Sequence, residues 1–235
     1  MMFEEIVVYV NGLMSDVFTP RTLRLLWRGT VTTFWLTILS GGAGLVLGLI
    51  AALGRMSKAW PLKMIAGAYI EFFRGTPLLV QLYIVFFGLP SLPFVEPIPA
   101  FWAATITLSL YAGSYFAEII RGAFNAIPSG QAEAARVLGL NRWQNFRFVM
   151  LPQAIRNAVP ALGNQFISLI KDSTLASVIT VTELLLAARN VSSRTFRPMP
   201  VYLSIAFIYL ILSNLAALGV RSIERYYERP YKSAK

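Results

Sequence analysis

Between residues 157 and 172 polar side chains recur at a spacing that could engage a solute. At 100° per residue Asn157, Ala161, Asn164, Gln165, Ser168, Lys171 and Asp172 share about 120° of helical arc. Val159, Leu162, Phe166, Ile167, Leu169 and Ile170 occupy the other side. The amides and the hydroxyl can hydrogen-bond a polar ligand without a fixed charge. Lys171 and Asp172 can neutralise each other, or engage the carboxylate and ammonium of a zwitterion. Other chemistry is scarce. The chain has no cysteine and no histidine, which removes disulfides, thiolate nucleophiles and the commonest general base and metal ligands, so no metal site is expected. Ser168 and Lys171 share a face, but a serine nucleophile also needs a positioned base and an oxyanion hole. No G-x-x-x-x-G-K-[ST] segment is present, so ATP is not bound through a P-loop. No catalytic residue is expected.

The elements that must carry these residues follow from composition. Of 235 residues, 56% are hydrophobic and 14% are charged, against roughly 25% charged in a soluble domain. Mean hydropathy is +0.60. A soluble globule of this size could not hide so much apolar side chain, so lipid is the expected solvent. Runs free of charge and long enough for about 30 Å of hydrocarbon cover 29–54, 75–95, 97–117 and 198–220. A fifth apolar segment, 157–182, is broken by Lys171 and Asp172. Polar residues inside a span usually face a cavity or a neighbouring helix, so it reads as a span with a functional interior. The expected fold is an all-α integral membrane domain of five helices, at about 29–54, 69–90, 97–118, 154–178 and 199–220. Nothing near the start reads as a cleaved signal peptide, because Glu4, Glu5 and Asp16 lie there without a basic region.

The net charge of +10 fits the positive-inside rule and anionic lipid better than nucleic acid. One set of loops carries Arg55, Lys58, Lys63, Arg121, Arg136, Arg142, Arg147, Arg221, Arg225, Arg229, Lys232 and Lys235. The other carries Arg21, Arg24, Arg28, Arg189, Arg194 and Arg197. The richer set is cytoplasmic, which places the N-terminus outside and the basic tail 221–235 inside. Residues 1–28 then form an external segment, with the Arg21–Arg28 stretch as an interfacial helix in the outer headgroup layer. Within the pathway reading, the stripe lines the route of a solute, or glues helices together. Gln165 offers an amide where a cationic solute would favour a carboxylate, which points to a neutral or acidic polar solute.

The one sizeable cytoplasmic loop, 128–152, predicts two short helices with a sharp elbow. Ser129 can cap the first, with Glu133 near its positive end. Gly139 suits the position after a helix where φ is positive. Asn141 and Gln144 form a capping-box variant, and Pro152 closes the second helix and starts the next span. Glu71 and Arg74 can pair across one turn, and Thr76-Pro77 restarts a helix, as a gate element or an anchor. Glu118 and Arg121 repeat the pairing. Thr30, Thr33, Thr37, Gly41, Gly44 and Gly48 form a packing seam.

The spacing Glu133-Ala134-Ala135, Gly139, Val149, Leu151-Pro152 resembles the EAA loop of ABC-importer permeases, with Val149 where isoleucine is usual. Glu71-Phe-Phe-Arg-Gly-Thr-Pro-Leu-Leu-Val-Gln81, Glu118-Ile-Ile-Arg-Gly122 and Lys171-Asp-Ser-Thr-Leu175 look like segments of the polar-amino-acid branch of that family. The resemblance implies a type I ABC-importer transmembrane domain over 29–220 in the inner membrane of a prokaryote. It implies a second permease copy, identical or different, and an external solute-binding protein that delivers an amino acid. It also implies a cytoplasmic ABC ATPase dimer that holds ATP and Mg, gripped through Glu133, Ala134, Ala135, Gly139, Leu151 and Pro152. No cofactor in this chain and no nucleic acid are expected. Ser192-Ser193-Arg194-Thr195 is compatible with a cystine-type importer. A secondary transporter or channel is the alternative, but it leaves the elbow loop unexplained and lacks inverted-repeat symmetry.

Overall fold

The computed structural model describes residues 17–232. Helix α1 spans Pro20–Met56, capped by Thr19, whose Oγ1 accepts from Thr22 N at 3.3 Å. Proline at the first helical position is preorganised for that start. Nothing in the sequence breaks the helix near Arg28. The arginines therefore ride on its first turns rather than on a separate interfacial helix, and the rest of the expected external segment, 1–16, lies outside the described residues.

Helix α2, Trp60–Gly75, and the short α3, Leu78–Tyr83, meet at an angle of 107°. A straight span over 69–90 is thus incorrect. Thr76 precedes a proline, which excludes the helical region, and its backbone is extended at φ −117°, ψ 149°. The chain continues through a wide turn at Ile84–Gly88 and a 3-10 turn at Leu89–Ser91. It then runs without regular structure to Pro99. Helix α4 is Ala100–Asn125, and α5 and α6 are Ser129–Val137 and Arg142–Gln144. A π-turn at Asn145–Met150 leads directly into α7, Leu151–Asp172, followed by 3-10 turns over Ser173–Ile179. Helices α8, Leu184–Thr195, and α9, Pro198–Lys232, complete the chain. No strand occurs among the described residues.

Helices α1, α4 and α9 are long and apolar enough to cross a membrane, and the bent α2–α3 pair is a fourth candidate. Helix α7, which holds the polar stripe, does not reach that hydropathy.

The core lies where α1, α3, α4 and the end of α7 converge, with Leu36, Leu82, Leu108 and Leu169 fully buried. The α1–α4 contact is the most extensive between helices among the described residues. A Cβ on Gly48 would sit 2.6 Å from Phe116 Cβ and 2.9 Å from the Gly113 carbonyl. Small residues let the helices approach in this way, as the seam of threonines and glycines anticipates. Ser40 adds a hydroxyl bond to the Thr105 carbonyl at 3.3 Å.

A second tie fastens α8 to α1 and α9. Glu183 is fully buried. Its Oε1 accepts from Leu186 N at 2.8 Å, and its Oε2 accepts from Leu185 N and from the Tyr209 hydroxyl, each at 2.9 Å. Leu184 N donates to Thr33 Oγ1 at 3.1 Å. A carboxylate at a helix N-terminus meets both the unpaired N–H groups and the favourable dipole end.

Two substitutions test these ties. Gly48→Val lowers the thermal unfolding midpoint of the detergent-purified chain, whereas Gly42→Val, with nothing within 4 Å of its Cβ position, leaves it unchanged. Glu183→Leu orphans two N–H groups and a hydroxyl and costs about 1–3 kcal/mol for each group left unpaired. Glu183→Gln keeps an acceptor and loses less. Equal midpoints for the leucine and glutamine variants would show that the network contributes nothing.

Candidate functional site

The elbow loop folds into a hairpin of two helices. Pro128, not Ser129, stands at the cap of α5, and Ser129 is its first helical residue. The fixed proline φ makes the entry there, so Glu133 lies one residue further along than expected and is not in the first turn. Gly139 has φ +80°, with Leu140 N donating to Ala135 O at 3.1 Å and Gly139 N to Arg136 O at 3.0 Å. That pair of bonds is the Schellman motif, and only glycine adopts the conformation without strain. Asn141 Oδ1 accepts from Gln144 N, and Gln144 Oε1 accepts from Asn141 N, each at 2.9 Å. The second helix therefore starts where the capping box puts it.

It does not end at Pro152. The chain stays helical from Arg142 to Asp172, and Pro152 falls in the first turn of α7. The π-turn absorbs the missing proline N–H by shifting the bonding register just before it. Asn145 Nδ2 donates to Ala132 O at 3.3 Å and ties the two arms together, with Phe124 stacked on Phe146 at 6.0 Å. Ala135 is buried in the hairpin; Glu133, Ala134 and Gly139 are exposed, and Leu151 and Pro152 are half-buried. Around the elbow Val137 is 88% exposed, Leu138 78% and Trp143 68%. An apolar tip of this kind is a docking surface rather than a core.

The polar stripe of α7 is only partly covered by the chain's other helices. Asn157, Asn164 and Lys171 are exposed, and Gln165, Ser168 and Asp172 are half-buried. Ala154, Ala158, Leu169 and Ile170 on the packed side are buried. Asn157 also donates to the Ala123 carbonyl at 3.4 Å. No ion pair joins Lys171 to Asp172. Lys171 is exposed and Asp172 half-buried at the end of the helix. Pro160 lies within the helix on the exposed side.

The break between α2 and α3 is held by a residue to which the sequence assigned no role. Gln81 is buried, and its Nε2 donates to Phe73 O at 2.9 Å, Thr76 O at 3.1 Å and Thr76 Oγ1 at 2.9 Å. One amide thus satisfies carbonyls that the end of α2 leaves unpaired. Pro77 is exposed at the cap of α3 and Thr76 is half-buried. Glu71 and Arg74 do not pair with each other. Glu71 is 3.9 Å from Arg55, while Arg74 reaches Glu118 at 3.6 Å and lies 5.3 Å from the Tyr115 ring centre. Glu118 is the less exposed carboxylate and already takes both arms of Arg121, at 2.9 and 2.7 Å. It therefore draws the second guanidinium. The signal for Gln81 was its place five residues after a helix-breaking Thr-Pro; for Glu118 it was the shared face with Arg121.

Residues 44–229 match the family model described as binding-protein-dependent transport system inner membrane component. The glutamine transport system permease protein of Escherichia coli (strain K12) is 39% identical over 86% of this chain and 92% of its own. The L-cystine transport system permease protein of Bacillus subtilis (strain 168) is 43% identical over 92% of this chain and 91% of its own. Among solved structures, an amino acid ABC transporter crystallised with histidines superposes with a TM-score of 0.82 at 40% identity, over 88% of this chain and 95% of that one. The inward-facing MetNI methionine ABC transporter shares the fold, with a TM-score of 0.72 at 23% identity over 89% of this chain and 99% of that one. The helical frame described above is the part these superpositions share. The chain belongs to the family of binding-protein-dependent transport system inner membrane components, the multi-pass permease subunits of bacterial ABC importers.

Proposed function

We propose that this chain forms half of the pore of an importer for a polar amino acid and is driven by a separate ATPase through the 128–152 hairpin. The observation that carries the reading is the hairpin tip. Gly139 at φ +80° turns the chain between Val137, Leu138 and Trp143, and nothing among the described residues covers them. The glutamine and cystine permeases that it resembles support the substrate class.

In this mechanism the chain itself catalyses nothing. An external solute-binding protein delivers the amino acid to the side where the N-terminus lies. A second permease copy faces the first across the exposed stripe of α7. Asn164, Gln165 and Ser168 then offer hydrogen bonds to the passing solute, and Lys171 and Asp172 face its two charged groups. ATP and Mg are held by the ATPase dimer, whose movement reaches the stripe because helix runs without interruption from Arg142 to Asp172. Gln165 as an amide favours a neutral or acidic substrate such as glutamine. Cystine, a larger zwitterion, is the second reading, on the strength of 43% identity to the cystine permease.

Gly139→Val forces a β-branched residue into a left-handed conformation, at a cost of about 1–2 kcal/mol. The variant inserts normally, but uptake in reconstituted vesicles falls at least about tenfold while residual ATP hydrolysis no longer responds to substrate. Wild-type uptake and wild-type substrate stimulation would remove the elbow from the coupling path. Gln165→Glu shifts competition uptake towards cationic amino acids by about tenfold, the worth of one charge-assisted hydrogen bond. Unchanged selectivity would take Gln165 out of the pathway. An ATPase subunit co-purifies with the wild-type chain in mild detergent; concentrative uptake by the chain alone in vesicles would instead identify a secondary transporter.

A further inference from the structure

Helices α1 and α9 run side by side with their backbones held apart along most of their length. Residues lining the gap advance together along both, from Leu23 and Ser204 to Leu45 and Ile223, so the helices are parallel. Three hollows of 730, 260 and 460 Å³ follow one another in the gap and share Phe34, Ile38, Phe166 and Leu215 at their junctions. From Leu23 to Leu45 the slot is about 33 Å long, close to the thickness of a bilayer's hydrocarbon.

The widest part is lined almost wholly by carbon. Its two hydroxyls are turned back on their own helices: Thr30 Oγ1 donates to Leu26 O at 2.8 Å and Ser204 Oγ to Val201 O at 2.7 Å. A polar solute gains nothing there. The occupant is long, thin and apolar. At the Leu23 end the chemistry changes. Arg24 and Arg28, one helical turn apart, are exposed on one flank of Trp27, a groove residue that is 67% exposed, just outside the hollow itself. Neither arginine forms an ion pair among the described residues. These are the charges that conflict with the positive-inside rule.

We propose that the α1–α9 slot is a binding site for one anionic phospholipid, with an acyl chain between the helices and the phosphate on Arg24 and Arg28. The tryptophan sits at the boundary between the two, where its amphipathic ring belongs. An arginine near an anionic headgroup is worth enough to select it over a zwitterionic one. The arginines at the start of α1 are then ligands, not errors of topology.

The chain lacks cysteine, so Phe207→Cys gives a unique labelling point in the slot, and Ile50→Cys gives one on the opposite side of α1. The full-length chain carrying an environment-sensitive fluorophore at either position is reconstituted in vesicles of phosphatidylcholine. Brominated phosphatidylglycerol or brominated phosphatidylcholine is then added at equal mole fraction. At position 207 the glycerol lipid associates at least about fivefold more strongly, as read from quenching. Arg24→Gln with Arg28→Gln abolishes that preference, and at position 50 neither lipid is preferred. Equal quenching by both lipids at 207, or a preference that survives loss of both arginines, overturns the proposal. Absence of quenching by either lipid also overturns it, because protein, a second copy or another segment of this chain, then fills the slot.

Discussion

A backbone group without a partner in hydrocarbon costs several kcal/mol, since no water can replace the lost bond. This chain nonetheless interrupts its helices repeatedly, and each interruption brings its own partners. At the Thr76–Pro77 break the amide of Gln81 covers two carbonyls and a hydroxyl. At the start of α8 the two oxygens of Glu183 take the N–H groups of Leu185 and Leu186. After the 3-10 turns that end near Thr180, Val181 N returns to the Ala176 carbonyl at 3.2 Å. The fold is a set of rods joined at self-sufficient corners, and the corners decide which faces the rods present.

Half-buried charge follows the same logic. Glu118 on α4 gathers Arg121 from its own helix and Arg74 from α2, so a carboxylate near the end of one helix fastens another beside it. Arg55 extends the group from α1, its guanidinium close enough to Gly67 that a Cβ there would lie 3.1 Å from Nη1. Three helices meet through alternating charges. The glycine is what makes the approach possible.

Much of this was legible beforehand. The glycine seam, the left-handed Gly139, the Asn141–Gln144 box and the polar face of α7 all rest on local rules of spacing and backbone conformation, which sequence states directly. What was not legible depended on tertiary partners. The pairing of Glu71 with Arg74 obeyed helical spacing, but a better-buried carboxylate on another helix outcompeted it. The bend at Thr76 was visible as a restart, not as a right-angle corner, because its angle is set by what Gln81 reaches. Pro152 looked like a terminus because a π-turn leaves no mark in composition. Glu183 stands just after an apolar segment, and nothing in its sequence neighbours announces that Thr33 and Tyr209, far away in the chain, lie beside it.

The unbroken helix from Arg142 to Asp172 has a mechanical corollary. It is a rod about 45 Å long, counted at 1.5 Å per residue, with its apolar foot outside the protein body and its amides near the far end. A tilt of only about 5° at the foot sweeps Lys171 sideways by about 4 Å, more than the width of a water molecule. A small displacement of whatever holds the tip is thereby magnified into one large enough to open or shut a channel. The stiffness that transmits it resides in hydrogen bonds already present before any fuel is spent.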